Sequence, residues 1–125
     1  MIGAYLAKKL LTDSAMTALV GQRIKPIQAL QDSQFPAIRY VEVNTATERT
    51  QNHDAIESHT VTFLIFAYDY KVCKQISELI SDKFDWFFDS KIKHCEKSDE
   101  RDLENEFDKD GKVVFGVELN INILS

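Results

Sequence analysis

The chain has 125 residues, of which 44% are hydrophobic, and this length and content suit one compact domain with its own core. Its 20 acids and 15 bases give a formal charge of -5, the wrong sign for a protein that holds nucleic acid through its phosphates. No apolar run approaches the roughly 20 residues that cross a bilayer, and the start lacks the order of a secretory signal, so we expect a protein made and used in a cytoplasm.

The N-terminal segment predicts two helices. Apolar residues recur at helical spacing over residues 2–11, which predicts an amphipathic helix over about the first eleven residues. Residues 12–14 offer capping oxygens for a second short helix, and Gly21 can take the left-handed conformation that ends it. We expect extended structure and loop in the mixed, polar stretch 23–34.

Two strands follow. Residues 37–43 are rich in β-branched and aromatic side chains, and Pro36 precedes them at the strand edge. The second strand, 59–68, is apolar on both parities, so both of its faces need cover. Since one helical layer covers only one face of a sheet, the other face must meet another layer or another subunit, although a central strand of a monomer gives the same pattern.

A long helix comes next. Asp69 can cap it, and its apolar stripe begins at Val72 and predicts a helix that runs to about Phe88. Trp86 and Phe88 flank the stripe near its end. We interpret these aromatic side chains as core rather than as a ligand site, because aromatic residues are usually buried.

A hairpin closes the chain. Residues 92–95 begin a strand, 108–111 supply a turn of the Asp-Gly type, and 113–123 alternate apolar and mostly polar side chains. The predicted order is therefore α-α-β-β-α-β-β in a single domain, 1–125. The predicted fold class is α+β, with helices packed on one face of a mainly antiparallel sheet.

Two segments do not fit a compact core. Residues 44–58, here called the polar arm, join two good strands but are far longer than a standard hairpin loop, and such loops are usually functional or disordered. Residues 96–110, here called the acidic hairpin, hold eight acids and three bases and thus the whole net charge of the chain. We interpret the carboxylates of the acidic hairpin as a solvated strand face rather than a calcium loop.

The sequence offers little for catalysis. It contains no Gly-rich phosphate loop, no Gly-x-Ser-x-Gly elbow and no His-Glu-x-x-His motif, so we expect no catalytic residues and no cofactor. His94 and Cys95 are the best metal candidates, with Cys73 or His59 as partners, but these residues lack the short spacings of zinc sites and we expect no metal. Both cysteines are interpreted as reduced, semi-buried thiols.

The layout resembles a known family. Residues 10–24 are similar to the opening of tail-completion proteins of long-tailed bacteriophages and prophages, in which a short helix ends at Gly and an Arg-Ile step follows. Residues 35–40 resemble the family's Pro-led first strand, 61–70 its second strand running into the long helix, and 113–123 its closing strand. The resemblance spans nearly the whole chain and rests on the combined order and spacing of these segments.

The resemblance implies a structural role without catalysis. Such subunits form a ring, usually hexameric, that sits at the top of the tail tube, completes the tail and joins it to the head connector. The implied partners are the tail tube protein and the head-completion protein, with DNA only in passage through the channel and no membrane. The implied location is the virion tail, after synthesis in the bacterial host cytoplasm. The candidate interface residues lie in the polar arm and the acidic hairpin: Thr47, Glu48, Arg49, Thr50, Gln51, Asn52, Glu100, Asp102, Glu104 and Glu106.

Two other classes of function stay open at this point. One is a small homodimeric ligand-binding or regulatory α+β domain, which the mass in solution would distinguish from a ring. The other is a small hydrolase or metal enzyme, which would need a convergent site of His, Cys and acidic residues. For the acidic hairpin, a channel lining that repels DNA, a surface for a basic partner and a solvated edge are all open.

Overall fold

The computed structural model describes the backbone of residues 2–27, 35–49 and 55–125, and the side chains of these residues except 44–49 and 55–57. Within them, the elements are α1 (Ile2–Leu11), α2 (Ser14–Val20), β1 (Ile24–Pro26), β2 (Ala37–Arg49), β3 (Ala55–Ala67), α3 (Tyr70–Phe84), β4 (His94–Asp102), β5 (Glu106–Phe107) and β6 (Val113–Leu124). Helices and strands thus form the predicted α+β fold.

The sheet is mixed but mainly antiparallel. Its strand order is β1-β2-β3-β6-β4, and β5 pairs with the start of β6. β1 runs parallel to β2, and the other pairs are antiparallel. The predicted order lacked β1 and β5, because strands of three and two residues are too short to show an alternating pattern.

The first two helices lie where the sequence predicted them, and capping residues set the ends of α2. The Asp13 carboxylate caps α2 by accepting a hydrogen bond from the Ala15 amide at 3.0 Å. Gly21 ends α2 with a φ of 59°, a conformation that glycine adopts without the clash a Cβ would cause. Leu6 and Leu10 lie on the apolar face of α1, which packs against the core, and both are completely buried.

The core lies between the helices and one face of the sheet. Phe63 at the centre of β3 is fully buried, and its neighbours in register are Tyr40 of β2 and Leu119 of β6. On the opposite face, Leu64 and Phe66 are only half-buried. In the described part of the chain the helices therefore cover one face of β3, and its second apolar face is left without a helical layer.

The long helix ends earlier than predicted. Asp69 caps α3 by accepting a hydrogen bond from the Lys71 amide at 2.9 Å, as expected, but the helix stops at Phe84 rather than near Phe88. Asp85 takes an extended conformation and Trp86 has a φ of 62°, so the chain leaves the helical path there.

The interpretation of the aromatic helix end as core is wrong for two residues. Trp86 is 72% exposed and Phe88 is 73% exposed. Phe84 is buried, and Phe87 packs against it with ring centroids 5.8 Å apart. The reason is the change of backbone conformation at Asp85 and Trp86, because the side chains after it no longer continue the helical stripe.

The described residues of the polar arm, 44–49 and 55–58, are paired strands rather than a loop. β2 and β3 stay paired from Asn44 opposite His59 to Arg49 opposite Ala55, with a register shift near Asn44. β6 ends opposite Ser58, so the three described residue pairs beyond this point form a two-stranded ribbon that projects past the sheet by roughly 10 Å, at about 3.3 Å per residue. The prediction failed because polar side chains on both faces hide the alternation that marks a strand.

Candidate assembly surfaces

A buried polar cluster fixes the base of the polar arm. The Glu42 carboxylate accepts a hydrogen bond from the Gly3 amide at 2.6 Å and lies 3.4 Å from Nδ1 of His59. Nε2 of His59 lies 3.1 Å from the Ser125 hydroxyl. His59 is only 6% exposed, so these contacts lie in the interior. Together they connect β2 and β3 to the start of α1 and to the residue that follows β6.

Three of the predicted interface residues in the polar arm lie in β2, and the other three lie outside the described residues. The backbones of Thr47, Glu48 and Arg49 pair with β3 within the projecting ribbon. Thr50, Gln51 and Asn52 belong to the segment 50–54, which the structure does not describe. The role of all six in an interface stays a prediction.

The acidic hairpin contains most of β4 and all of β5, and both strands pair with β6. Asp108 organises its turn, because its carboxylate accepts hydrogen bonds from the amides of Asp110 and Lys112 at 2.8 and 2.9 Å. The Tyr68 hydroxyl donates to the same carboxylate at 2.7 Å and, with those amides, holds the pKa of Asp108 below its ordinary value. The hairpin is thereby fastened to the end of β3.

The interpretation of the four predicted carboxylates as one solvated face is wrong for Glu100. Its side chain is 17% exposed and accepts hydrogen bonds from the Lys74 ammonium and the Ser77 hydroxyl of α3. Partial burial alone would raise the pKa of Glu100, but these two donors and nearby Lys97 lower it. A register shift between Lys97 and Asp99 explains the error, since one extra residue moves Glu100 to the helix-facing side.

The other three acids differ among themselves. Asp102 is exposed, but its two carboxylate oxygens lie 2.8 and 2.9 Å from the Tyr70 hydroxyl, which donates to them from the first turn of α3. Glu104 and Glu106 are exposed. The structure thus separates two acids that contact α3 from two that face solvent in this chain.

The segment 85–93 between α3 and β4 is held by Asp89, a residue that the sequence did not single out. Its carboxylate accepts hydrogen bonds from the amides of Lys91 and Ile92, at 2.8 and 2.9 Å, and from the Tyr5 hydroxyl. The Lys9 ammonium lies 3.3 Å away. Partial burial would raise the pKa of Asp89, but these donors lower it to about 2. The contact with α1 is long-range, so local sequence patterns gave no signal for it.

The candidate metal ligands do not converge. His59 and His94 line one cleft of about 330 Å³, whereas Cys73 and Cys95 are completely buried, free thiols. Burial raises the pKa of Cys73 to about 11 and that of Cys95 to about 12, so both are protonated at neutral pH. Across residues 2–27, 35–49 and 55–125, no group of three or more His, Cys, Asp or Glu side chains is placed to hold a metal ion.

The side of the sheet on which the described residues place no helix, here called the outer face, has a polar and an aromatic half. In the polar half, the hydroxyls of Thr60 and Thr62 donate to Asn122 and Asn120 of β6 at 3.1 and 2.5 Å. In the aromatic half, Phe35 packs edge-on against Tyr68 with ring centroids 5.2 Å apart. The half-buried or exposed residues of this face are Arg39, Val41, Val43, Thr60, Thr62, Leu64, Phe66, Glu118, Asn120 and Asn122.

These features define a class of protein. A projecting ribbon and a sheet face without a helical layer are typical of subunits that act by contact with other chains. Among the described residues, no helix is both long and apolar enough to cross a membrane. The fold and its surfaces therefore indicate a small α+β assembly subunit.

The comparison with family models specifies that class. The model of the family described as "Tail completion protein gp17" matches residues 4–113, and the chain belongs to this family. It is accordingly a structural protein of the phage tail. No protein among those with curated descriptions matches the chain.

A solved structure shares the fold. The chain is similar to a chain in a structure titled "Virion of native gene transfer agent (GTA) particle", with a TM-score of 0.64 and 13% sequence identity. The match covers 98% of this chain and 92% of that chain. At this identity the likeness shows that the two chains fold alike.

Proposed function

We propose that the protein forms a closed ring at the top of the tail tube, completes the tail there and joins it to the head connector. The observation that carries the ring is the projecting part of the polar arm, a ribbon with strand neighbours on neither side among the described residues. Such a ribbon can reach an adjacent subunit. A ring needs this kind of head-to-tail contact, in which two different surfaces meet and rotation closes the circle.

The proposed ring has six copies, the number that the family resemblance implies. Its partners are the tail tube protein on one side and the head-completion protein on the other, and DNA passes through its channel. The fold shared with a chain of a gene transfer agent virion supports a location in an assembled particle. Within the acidic hairpin, the exposed Glu104 and Glu106 are the carboxylates available to line the channel or to meet a basic partner.

A tube-capping experiment tests this function. Tail tube protein from the same genome is polymerised, and the purified chain is added with a gold label for electron microscopy. We expect one labelled particle at a single end of each tube and an arrest of further growth at that end. Tubes incubated without the chain serve as the control and should continue to grow. Label scattered along the tubes, or tubes that grow equally with and without the chain, would refute the proposal.

A further inference from the structure

Two large aromatic side chains form an exposed protrusion after α3. Trp86 and Phe88, here called the aromatic knob, are 72% and 73% exposed, although aromatic side chains are among those that gain most from burial. The Trp86 ring rests edge-on against His94, with centroids 5.2 Å apart. An apolar surface of this kind on a structural subunit marks a contact with another chain.

The backbone that presents the knob is strained and firmly anchored. Trp86 has a φ of 62°, a conformation that bulky residues rarely adopt and that persists only where the surroundings impose it. Asp85 accepts a hydrogen bond from the Lys97 amide at 3.1 Å on one side of the knob. Asp89 fastens the other side to α1 through Tyr5 and Lys9. The two aromatic rings are therefore held outward rather than left on a loose loop.

A groove lies at the other end of the sheet. It measures about 520 Å³, within the range of about 300–1,000 Å³ that holds ligand-sized groups. Aromatic side chains line it on both sides, from the outer face and from the acidic hairpin. They are Phe35, Phe66, Tyr68 and Phe107, the last of which is 70% exposed.

Knob and groove lie far apart on one subunit. Val114 at the start of β6 lines the groove, whereas Leu124 at its end pairs with His94, against which the knob rests. Ten residues of strand separate these positions by roughly 33 Å, at about 3.3 Å per residue. A knob cannot reach the groove of its own chain over that distance. Two complementary surfaces at opposite ends are what a head-to-tail contact requires.

We propose that the aromatic knob of one copy inserts into the groove of the next copy. This inference rests on the proposed ring and specifies the contact that closes it. The charges favour this pairing modestly. Lys91 and Lys93 follow the knob, where Asp89 is already paired with Lys9. The groove is bordered by three acids and two bases: Glu106, Asp108, Asp110, Arg39 and Lys109. The second copy is the occupant that fits both the aromatic lining and this charge pattern.

Paired truncations test the contact. Trp86→Ala on the knob and Phe107→Ala in the groove should each weaken self-association by about thirtyfold, the loss typical of an aromatic anchor at an interface. Combining them should add little, since both remove the same contact. Ile27→Ala, a truncation of another exposed apolar residue at 44% exposure, is the matched control and should associate like the parent. Sedimentation of the full chain over a wide concentration range measures the parent and all four variants.

Directed cross-linking gives a second measurement. Chains carrying Ser90→Cys, an exposed position beside the knob that leaves both of its aromatic rings in place, are mixed with chains carrying Lys109→Cys at the groove. Mild oxidation should join the two kinds into a mixed dimer. The native Cys73 and Cys95 are completely buried and do not compete. Cross-links that form as readily within the Ser90→Cys population alone would indicate a symmetric contact and overturn the inference.

The two proposals fail in distinguishable ways. If the parent chain caps tubes and forms a ring, but the truncations leave association unchanged and no mixed cross-link appears, the knob contact is refuted and the ring stands. If the parent chain neither self-associates nor caps tubes, both the ring and the knob contact are refuted.

Discussion

At the scale of single residues, Glu100 is the more buried of the two acids that join the acidic hairpin to α3. Its partners Lys74 and Ser77 lie on the helix, and Lys97 is 3.7 Å away on its own strand. Removing one member of a partly buried charged pair leaves the other without its counter-charge, and introducing a like charge adds repulsion.

We therefore predict that Glu100→Lys lowers the free energy of unfolding by about 2 kcal/mol, in the range for loss of charged hydrogen bonds. Glu104→Lys and Glu106→Lys are matched controls on the same hairpin. Because both glutamates are exposed, these controls should change stability by no more than about 0.5 kcal/mol. Urea denaturation measures all three, and equal losses in all three would contradict the assigned contact.

The same contact has a pH dependence. Since the pKa of Glu100 in the folded chain lies below its ordinary value of 4.5, its stabilising contribution is complete above pH 4.5 and is lost as the pH falls through the lowered folded-state pKa. Glu100→Gln should remove this part of the acid sensitivity. A variant that loses stability below pH 4.5 as steeply as the parent would show that other groups account for it.

Residues with local roles could be predicted from the sequence, and residues with distant partners could not. Asp13, Asp69 and Gly21 act within one turn of a helix, so residue type and position were sufficient. Glu100 faces α3 because of a bulge that no composition reveals, and Asp89 meets a helix some eighty positions earlier in the chain. The interface role of these segments stays a prediction, and the structure places two of its acidic candidates, Glu100 and Asp102, in contacts with α3 within the chain.

At the scale of elements, we expect the polar arm to make the contact between neighbouring subunits, and its deletion tests this role. Deleting residues 47–55 removes most of the projecting ribbon but leaves the strands that pair with β1 and β6. We predict a folded protein with unchanged helix content that no longer caps tail tubes. Circular dichroism and the tube-capping experiment measure these two properties.

A variant of equal length tests whether the arm needs its β-strand side chains as well as its length. Replacing residues 47–55 with a Gly-Ser segment of equal length keeps the connection but removes the β-forming side chains, so it should also fail to cap tubes. Normal capping by the shortened chain would mean that the arm has no part in assembly.

At the scale of the whole molecule, the fold class could be predicted because three long strands have regular side-chain patterns. β2, β3 and β6 pack their regular faces against α1 and α3, so the α+β class followed from the pattern. The parallel pairing of β1 with β2 is a contact of three residue pairs between segments about fourteen positions apart in the chain. Short-range patterns hold no information about such a contact.

The central claim is that the chain works as a closed ring, and native mass spectrometry of the assembly released from capped tail tubes tests it most directly. We predict one closed species, a hexamer of the 14.4 kDa chain, with no ladder of intermediate sizes. A dimer as the largest species would contradict the ring and favour the small homodimeric domain instead.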